Sequence, residues 1–231
     1  MLGIFVQSAL FSLLCLFLFW LLWLSPLTKK IEKYKVRPDL TQIEAQQLKW
    51  DLFWSAAYPF GAAFTIYWAM AGLQFLKISK VYFDFEEHGK FYYILSFVAF
   101  ILILDFFRYW FHRAMHTSFL YRHFHSVHHK SIDVSPLSAV RVHPIDLVLG
   151  TPWMVATNIF PIHISIVVIF SSFYHVQNLY RHFGYHFRIL PFLDRILVSP
   201  PNHELHHSRH VGNYGASLTL WDDLFGTGID A

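Results

Sequence analysis

The sequence predicts an all-α integral membrane protein with three membrane spans, a broken fourth apolar region that forms a hairpin, and a cytoplasmic helical cap that carries clustered histidines. Two observations support this prediction. The 231 residues are 55% hydrophobic, 19% aromatic and only 14% charged, a balance that is unusual for a soluble domain of this length. Sixteen histidines, far more than an ordinary chain carries, lie mostly in clusters beside the apolar runs.

The first predicted span runs from Leu2 to Leu24 and contains no charged residue. It is long enough to cross a hydrocarbon core, which needs about 20 helical residues. A signal peptide is disfavoured because no basic segment precedes the run and no small-x-small cleavage site follows it. Basic residues are frequent in the polar stretch between Pro26 and Asp51, and the positive-inside rule places that stretch in the cytoplasm.

Two more apolar runs follow, from Leu52 to Leu76 and from Phe91 to Trp110. The loop between them, residues 77–90, balances its lysines against acidic residues, which suits the outer face of the membrane. The third span then returns the chain to the cytoplasm, where the first histidine pair begins.

The fourth apolar region, from about Leu147 to Phe173, is interrupted by "NIFPIH", in which Asn158 and Pro161 break the helix. The region is too long for one span and short for two. If the histidines before and after it serve one site, both of its ends lie on the same side of the membrane. We therefore expect a hairpin of two short or tilted helices.

The histidines recur at helical spacing. "HRAMH" places His112 and His116 on one helical face, although a lone pair of this kind is more often interfacial than metal-binding. Two further segments, "HFHSVHH" and "HELHH", each hold a triple at positions i, i+3 and i+4. Two identical triples with a pair upstream predict a shared metal site. The triples are His125, His128 and His129, and His203, His206 and His207.

The composition indicates which atoms could bind a metal and which classes of partner are expected. The only cysteine, Cys15, sits inside an apolar run, so neither an intrachain disulfide nor a thiolate site is expected and nitrogen is the predicted metal donor. The formal charge of +3 is too mild to indicate a nucleic-acid partner, and no nucleic-acid motif is present. The basic residues lie beside apolar segments, where a lipid surface explains them better.

A zinc protease is the alternative that the third cluster raises. "HELHH" also satisfies His-Glu-x-x-His, with His203 and His207 as zinc ligands and Glu204 as general base. That interpretation leaves the middle triple unexplained, places the helix in a polar segment and lacks a distant third ligand. A haem protein would need isolated histidines that face each other inside spans. A non-catalytic metal-binding membrane protein remains open.

The same constellation resembles the fatty acid hydroxylase and sterol desaturase superfamily of membrane di-iron enzymes. The resemblance covers most of Asp105 to Thr227, in the order "DFFRYWFHRAMH", "HSVHH", "HELHH" and the ending "NYGASLTLWDDLFGT". It implies that residues 91–231 form the catalytic domain. Residues 1–90, with the first spans and the basic segment, carry no motif of the family.

The resemblance implies His182 as a further ligand in "FYHVQNLYRHFGYHF". His186, four residues further on, stands where family members often carry Glu; with it the set has ten imidazoles, and without it the second metal keeps an extra open position. Two iron ions would share these imidazoles, although zinc or another divalent metal could occupy the site in a purified sample. The implied ligand set is His112, His116, His125, His128, His129, His182, His186, His203, His206 and His207.

Histidine ligands need acceptors that orient their second ring nitrogen. We expect Asp105, seven residues before His112, and Asn178, shortly before His182, to serve in this way. For His143 we expect a structural role, or one that supports a ligand without binding the metal, and not ligation. His175 is a weaker competitor to His182 as a ligand.

Oxidation of an unactivated C–H bond requires a metal that changes valence, which zinc cannot do. The resemblance therefore implies O₂-dependent hydroxylation or desaturation of a membrane lipid, such as a fatty acyl chain, a sterol, an ether lipid or a carotenoid. A separate ferredoxin or small cytochrome, with its reductase, would supply electrons. The expected location is a bacterial inner membrane or the endoplasmic reticulum, with the histidines on the cytoplasmic side.

Overall fold

The computed structural model describes residues 2–39, 43–75, 80–149, 157–188 and 191–229, and these are mostly helical. The principal helices, in chain order, are α1 (Leu2–Phe19), α2 (Leu27–Ile31), α3 (Ala45–Phe75), α4 (Gly89–Met115), α5 (Ser118–Leu120), α6 (Ser126–His129), α7 (Pro144–Leu149), α8 (Ile164–Arg181), α9 (Pro200–Arg209) and α10 (Leu220–Phe225). Short strands β1 (Val81–Tyr82) and β2 (Ile162–His163) pair in parallel.

Short helical turns of other types join these elements. Two are π-helical, Trp20–Leu24 after α1 and Tyr121–His125 before α6. The 3₁₀ turns are Glu32–Tyr34, Phe85–Glu87, Pro136–Val140 and Pro191–Arg195.

Two helical segments are long and apolar enough to cross a membrane by length and composition, Phe5–Leu24 and Gly89–Met115. They coincide with the first and third predicted spans. The second predicted span lies in α3, which is not among the candidates found in the described residues, and its last residue, Leu76, lies outside them. That α3 crosses the membrane therefore stays a prediction.

Large apolar side chains remain exposed along these helices. Leu10 on α1, Phe64 on α3 and Ile94 on α4 are 61%, 59% and 63% exposed. Soluble monomers rarely leave contiguous apolar surface of this kind uncovered. The exposed surface suits contact with lipid.

Helices α4 and α8 run in parallel from the strand pair toward the histidines. Their shared core contains Phe100 and Leu104 of α4 with Ile166 and Phe170 of α8, and the Phe100 and Phe170 rings meet edge to face at 5.8 Å. Because β1 and β2 pair in parallel just before each helix, both helices enter the bundle from the same end.

The break at Pro161 lies at the strand end, away from the histidines. The backbone N–H of Lys80 donates to Thr157 O, and that of Ile162 donates to Lys80 O. The chain approaches this break from α7, beside the histidines, and leaves it along α8, which returns to them. This is the path expected of the predicted hairpin, although residues 150–156 of its first limb lie outside the described residues.

The N-terminal helices form one wall of the histidine region. Phe11 and Cys15 of α1 pack with Ala139, Val140 and Leu179 in a second buried cluster. The predicted division into residues 1–90 and 91–231 stays a prediction, and these contacts join the two parts closely.

Candidate metal centre

The structure gathers nine of the ten predicted ligands into two groups. In each group the nitrogen atoms that could bind a metal all lie within 4.8 Å of one another. The first histidine group is His112, His116, His125, His129 and His206; the second histidine group is His128, His182, His203 and His207.

Helix geometry explains how the triples divide. Positions i and i+4 differ by about 40° around a helix, whereas position i+3 lies about 60° to the other side of i. His125 and His129 accordingly join the first group while His128 joins the second. In the third cluster, His203 and His207 join the second group and His206 the first. The two groups are therefore interleaved along the same helices.

Backbone carbonyls orient the first group. His112 Nδ1 lies 2.8 Å from Tyr214 O, His116 Nδ1 2.9 Å from His210 O, and His206 Nδ1 2.7 Å from Gly212 O. A carbonyl oxygen can only accept, so each Nδ1 carries the proton and donates. The Nε2 atoms of these three rings are left as lone-pair donors toward the group's interior.

The second group is oriented in the same way. His128 Nδ1 lies 3.2 Å from Arg141 O, His182 Nδ1 2.6 Å from Asn178 O, and His207 Nδ1 3.1 Å from Ser131 O.

Facing lone pairs make a cation the natural occupant. The Nε2 atoms of His128 and His207 are 3.1 Å apart, and in both rings the proton sits on Nδ1. Without a shared cation, two lone pairs would face each other at hydrogen-bond distance. The Nε2 atoms of His182 and His203 are 2.9 Å apart, but no carbonyl fixes the tautomer of His203, whose Nδ1 has no described partner.

Distances within the second group also bear on coordination. Two nitrogens bound to one ion at about 2.0–2.1 Å are about 2.9 Å apart at right angles and about 3.3 Å apart at the tetrahedral angle. The contacts of 2.9 and 3.1 Å both lie in the range expected for two nitrogens that bind the same ion. The residues therefore fit a metal ion held by imidazole nitrogens.

Burial keeps these imidazoles neutral. Desolvation lowers the pKa of His128 to about 3 and that of His116 to about 4. The same cause holds the pKa well below its ordinary value in the other grouped histidines outside α4, which are His125, His129, His182, His203, His206 and His207. Neutral imidazole is the form that binds metal.

His186 is not brought to either group. The prediction relied on its position four residues after His182, but α8 ends at Arg181. The chain then turns at Gly184, whose φ is +72° and where a Cβ would lie 2.6 Å from Val134 O. His186 Nε2 instead bonds to Asp194 at 3.0 Å. Helical spacing does not apply once the helix has ended.

Asp105 does not touch His112. Its carboxylate accepts from the backbone N–H groups of Ser217 and Leu218 and from Trp221 Nε1. Seven residues separate it from His112, which is about 10 Å along the helix axis and too far for a hydrogen bond. Asp105 instead anchors the C-terminal segment.

Asn178 orients His182 through its backbone carbonyl, not through its side chain. The side-chain amide donates to Ala139 O and accepts from Arg181. The structure thus places the expected residue in contact with His182, through the backbone oxygen of Asn178.

The C-terminal motif holds the acceptor of His112. Asp222 accepts from the backbone N–H groups of Tyr214 and Gly215 and from Thr227 Oγ1. This ties "NYG" to "WDDLFGT" and fixes Tyr214 O, which receives the His112 Nδ1 proton. The sequence motif was a signal for this region, but its spacing alone could not assign the role.

Asp51 of α3 was missed by sequence reasoning. Its Oδ1 accepts from Ser131 Oγ and from Arg141 Nη1, both at 2.7 Å, and the residue is fully buried. Ser131 and Arg141 supply the carbonyls that orient His207 and His128. Asp51 thus connects the N-terminal helices to the second histidine group.

Asp146 is a second missed residue. Its carboxylate lies 3.4 Å from His125 Nδ1, and burial raises the pKa of Asp146 to about 7. Like Asp51, it has no place in the histidine spacing pattern.

The remaining candidate histidines stay outside both groups. His143 Nδ1 accepts from the Ile145 backbone N–H, and His175 Nδ1 donates to Ser171 O. These contacts favour structural roles for both.

Glu204 also lies outside both groups. Its Oε1 is 3.8 Å from Arg37 Nη1, in a second cavity that Lys33 and Lys35 also line. Burial raises the pKa of Glu204 to about 7, and Arg37 opposes that shift. The general base of the protease alternative therefore does not face the grouped histidines.

A cavity of about 640 Å³ reaches the histidines from within the bundle. His112, His125, His128 and His203 line one end, and Val81 lies at the strand end. Its walls are largely apolar. The volume is in the range of pockets that hold lipid-sized or drug-sized molecules.

The fatty acid hydroxylase family model matches residues 97–227, which hold every predicted ligand. The chain belongs to the fatty acid hydroxylase family. This confirms the resemblance found in the sequence.

The chain is also similar to proteins that are named as a sterol desaturase, a methylsterol monooxygenase and a lathosterol oxidase. The chain is 33% identical to the Delta(7)-sterol 5(6)-desaturase of Leptosphaeria maculans over 74% of its own length and 47% of that protein. It is 27% identical to methylsterol monooxygenase 1 of Danio rerio, over 85% of the chain and 68% of the relative. Human lathosterol oxidase is 32% identical, over 67% of the chain and 52% of the relative.

The chain thus spans about half to two thirds of the length of these relatives. No solved structure matches the chain.

Proposed function

We propose that this family member is a membrane lipid oxidase in which the two histidine groups bind two iron ions. One observation supports the proposal most directly. Histidines of both groups line one end of a largely apolar cavity. Relatives named desaturase, monooxygenase and oxidase act on sterols, which supports oxidation of a lipid. Hydroxylation and desaturation both fit, since each begins with removal of a hydrogen from carbon.

Bound iron would supply the valence change and the oxygen binding that C–H oxidation needs. The chain's own contribution is to hold the imidazoles in fixed orientation. Carbonyls such as Tyr214 O and Arg141 O fix the protonated Nδ1 atoms, and so aim each Nε2 at the interior of its group. Pre-set ligands of this kind avoid a reorganisation cost during the reaction.

The cavity would hold the lipid and exclude water. Phe170 and Val167 of α8 and Phe111 of α4 line it, so an acyl chain or ring replaces water along these walls. Water exclusion protects a strongly oxidising site from side reactions. We propose that the lipid enters laterally from the bilayer and that a ferredoxin or small cytochrome delivers electrons from the cytoplasmic side.

Mass spectrometry of membrane lipids tests this function. Cells that express the chain should contain a lipid that has gained one oxygen atom or lost two hydrogens. Cells that express the matched His128→Ala and His206→Ala variants should lack it. If the lipid profiles are identical while the wild-type protein is present and iron-loaded, the chain binds metal without lipid oxidation, and the non-catalytic alternative is correct.

A further inference from the structure

A buried arginine in the cavity wall has no described acceptor. Arg108 lies on α4, one turn before His112, and its side chain lines the cavity although the residue is only 6% exposed. Its Nε and Nη1 atoms are buried and have no hydrogen-bond partner. A charged residue in a candidate span usually pairs or serves a function, because an unpaired charge is costly there.

Stacking fixes the plane of this guanidinium. The Arg108 Cζ atom lies 3.3 Å from the centroid of the Tyr174 ring, so one face of the group is covered by the aromatic ring. The N–H donors point outward in the guanidinium plane. A planar acceptor with two oxygens matches that geometry better than a single hydroxyl does.

Neighbouring side chains provide no hydrogen-bond acceptor for the Nε and Nη1 groups of Arg108. Asp105, on the preceding turn, gives its oxygens to Ser217, Leu218 and Trp221. Within the described part of the chain, no ion pair includes Arg108. Among the described residues, no side-chain carboxylate therefore makes a hydrogen bond or an ion pair with Arg108, although the charge of Asp105 lies one turn away on the same helix.

Arg181 gives the contrast. It lines the same cavity, but its Nε and Nη2 donate to Asn178 Oδ1 and its Nη1 donates to Ala216 O at 2.6 Å. Arg181 therefore has a structural explanation, and Arg108 does not.

We propose that Arg108 binds the carboxylate of an acidic lipid substrate inside the cavity. The apolar part of the lipid then lies against Val167, Phe170 and the wall toward the strand end, and the carboxylate lies one helical turn from His112. This inference rests on the proposed lipid oxidase function and names the substrate class for that site.

Competition binding tests the inference without turnover. Iron-loaded protein in lipid nanodiscs is kept anaerobic and without reductant, and bound tritiated palmitate is displaced by palmitate, hexadecanol, methyl palmitate or cholesterol. Palmitate should bind about tenfold or more tightly than the alcohol, the ester or the sterol, as expected for a charge-assisted bidentate contact.

Variants locate the preference. Arg108→Met should bind the acid and the alcohol equally, and Arg108→Lys should keep part of the preference because it keeps the charge. Arg195→Gln removes a positive charge from an exposed position and should behave like the wild type. Iron content and gel-filtration elution, measured on every variant, show whether it has folded.

Three results would overturn the inference: equal binding of all four lipids to the wild type, tighter binding of cholesterol than of palmitate, or an acid preference that survives in folded Arg108→Met. The first two need no variant, so a misfolded variant does not remove the test. Because no oxidation is measured, loss of activity with intact acid-selective binding would count against the proposed function alone.

Discussion

Six of the nine grouped histidines donate Nδ1–H to a backbone carbonyl oxygen. Five of these carbonyls lie outside the principal helices, and the sixth, Asn178 O, is in α8. Backbone carbonyls cannot ionise, so they fix the tautomer and the direction of each ring without adding charge. The result is a neutral nitrogen donor set, in contrast to the carboxylate-rich sites of soluble di-iron bundles. The chemistry of the centre therefore depends on loops as much as on the histidines.

The activity of the Glu204→Ala variant distinguishes the proposed oxidase from the alternative zinc protease. Glu204 faces Arg37 and not the grouped imidazoles, so the variant should retain its metal and most of its lipid-oxidising activity. His207→Ala, three residues along the same helix, should lower activity at least about 100-fold because it removes a nitrogen donor from the second group. Complete inactivation of a metal-loaded Glu204→Ala protein would contradict this assignment.

Asp51→Asn should weaken the second metal position from a distance. The substitution removes the charge that holds Arg141 and Ser131, whose carbonyls orient His128 and His207. Changes to such supporting groups typically lower metal affinity about 10–100-fold, which chelator titration of the iron-loaded protein would measure. Glu44→Gln, which removes an exposed charge next to the same helix, is the matched control. Equal metal retention in the two variants would show that Asp51 has no such role.

Single-residue roles were only partly predictable from the sequence. The histidines could be recognised because helical spacing is visible in sequence letters. Asp51 could not, since its partners lie 80 and 90 residues away and no local pattern connects them. Asp105 shows the opposite problem. Its position on the same helical face as His112 suggested a contact, but the two residues are too far apart along the helix for their side chains to meet.

At the scale of helices, the direction in which each histidine of a triple points around the helix axis determines which of the two groups it joins. The sequence indicated one shared stripe, whereas the structure divides each triple, with i and i+4 in one group and i+3 in the other. The division follows from helix geometry, but only after the neighbouring helices are placed on both sides of the stripe. His186 lies outside both groups for a related reason, because the helix that would have carried it ends at Arg181.

The hydrogen bonds from Tyr214, Gly215 and Thr227 to Asp222 form a clasp in the C-terminal motif. Substitution of glycines in this motif tests its role. A Cβ at Gly215 would lie 2.6 Å from Leu218 O and 2.8 Å from Asp222 Oδ2, whereas one at Gly228 would meet nothing closer than 3.8 Å. Gly215→Ala should cost about 1–3 kcal/mol, as overpacking does, and should lower activity by displacing Tyr214 O from His112. Gly228→Ala should change neither. Thermal unfolding in detergent and activity assays would measure the pair, and equal behaviour would exclude the clasp.

For the whole molecule, a common metal site depends on the predicted hairpin, because the hairpin brings the third histidine cluster to the same side of the membrane as the first two. Pro161 and Asn158 indicated a break, and the need to bring distant histidines together indicated that the chain returns. The parallel strand pair that holds the break could not be foreseen, because strands of two residues leave no periodic pattern. The side of the membrane on which the histidines lie remains a prediction from charge distribution.

Cysteine labelling tests that topology. In a Cys15→Ala background, single cysteines at the exposed positions Lys130 and Ser208 should react with an impermeant reagent from the cytoplasmic side only. A cysteine at the exposed Glu86, in the loop at the strand end, should react from the outside only. Labelling of Lys130→Cys and Ser208→Cys from opposite faces would contradict a common metal site.

Metal content is the most direct test of the dinuclear centre. Protein purified anaerobically and loaded with iron should contain two irons per chain, because the imidazoles form two separate groups. His112→Ala and His182→Ala, which each remove one donor from a different group, should both lower that content, and the residual iron should differ between them in its spectroscopic signature. A content of one metal per chain that is unchanged by either substitution would contradict the dinuclear centre.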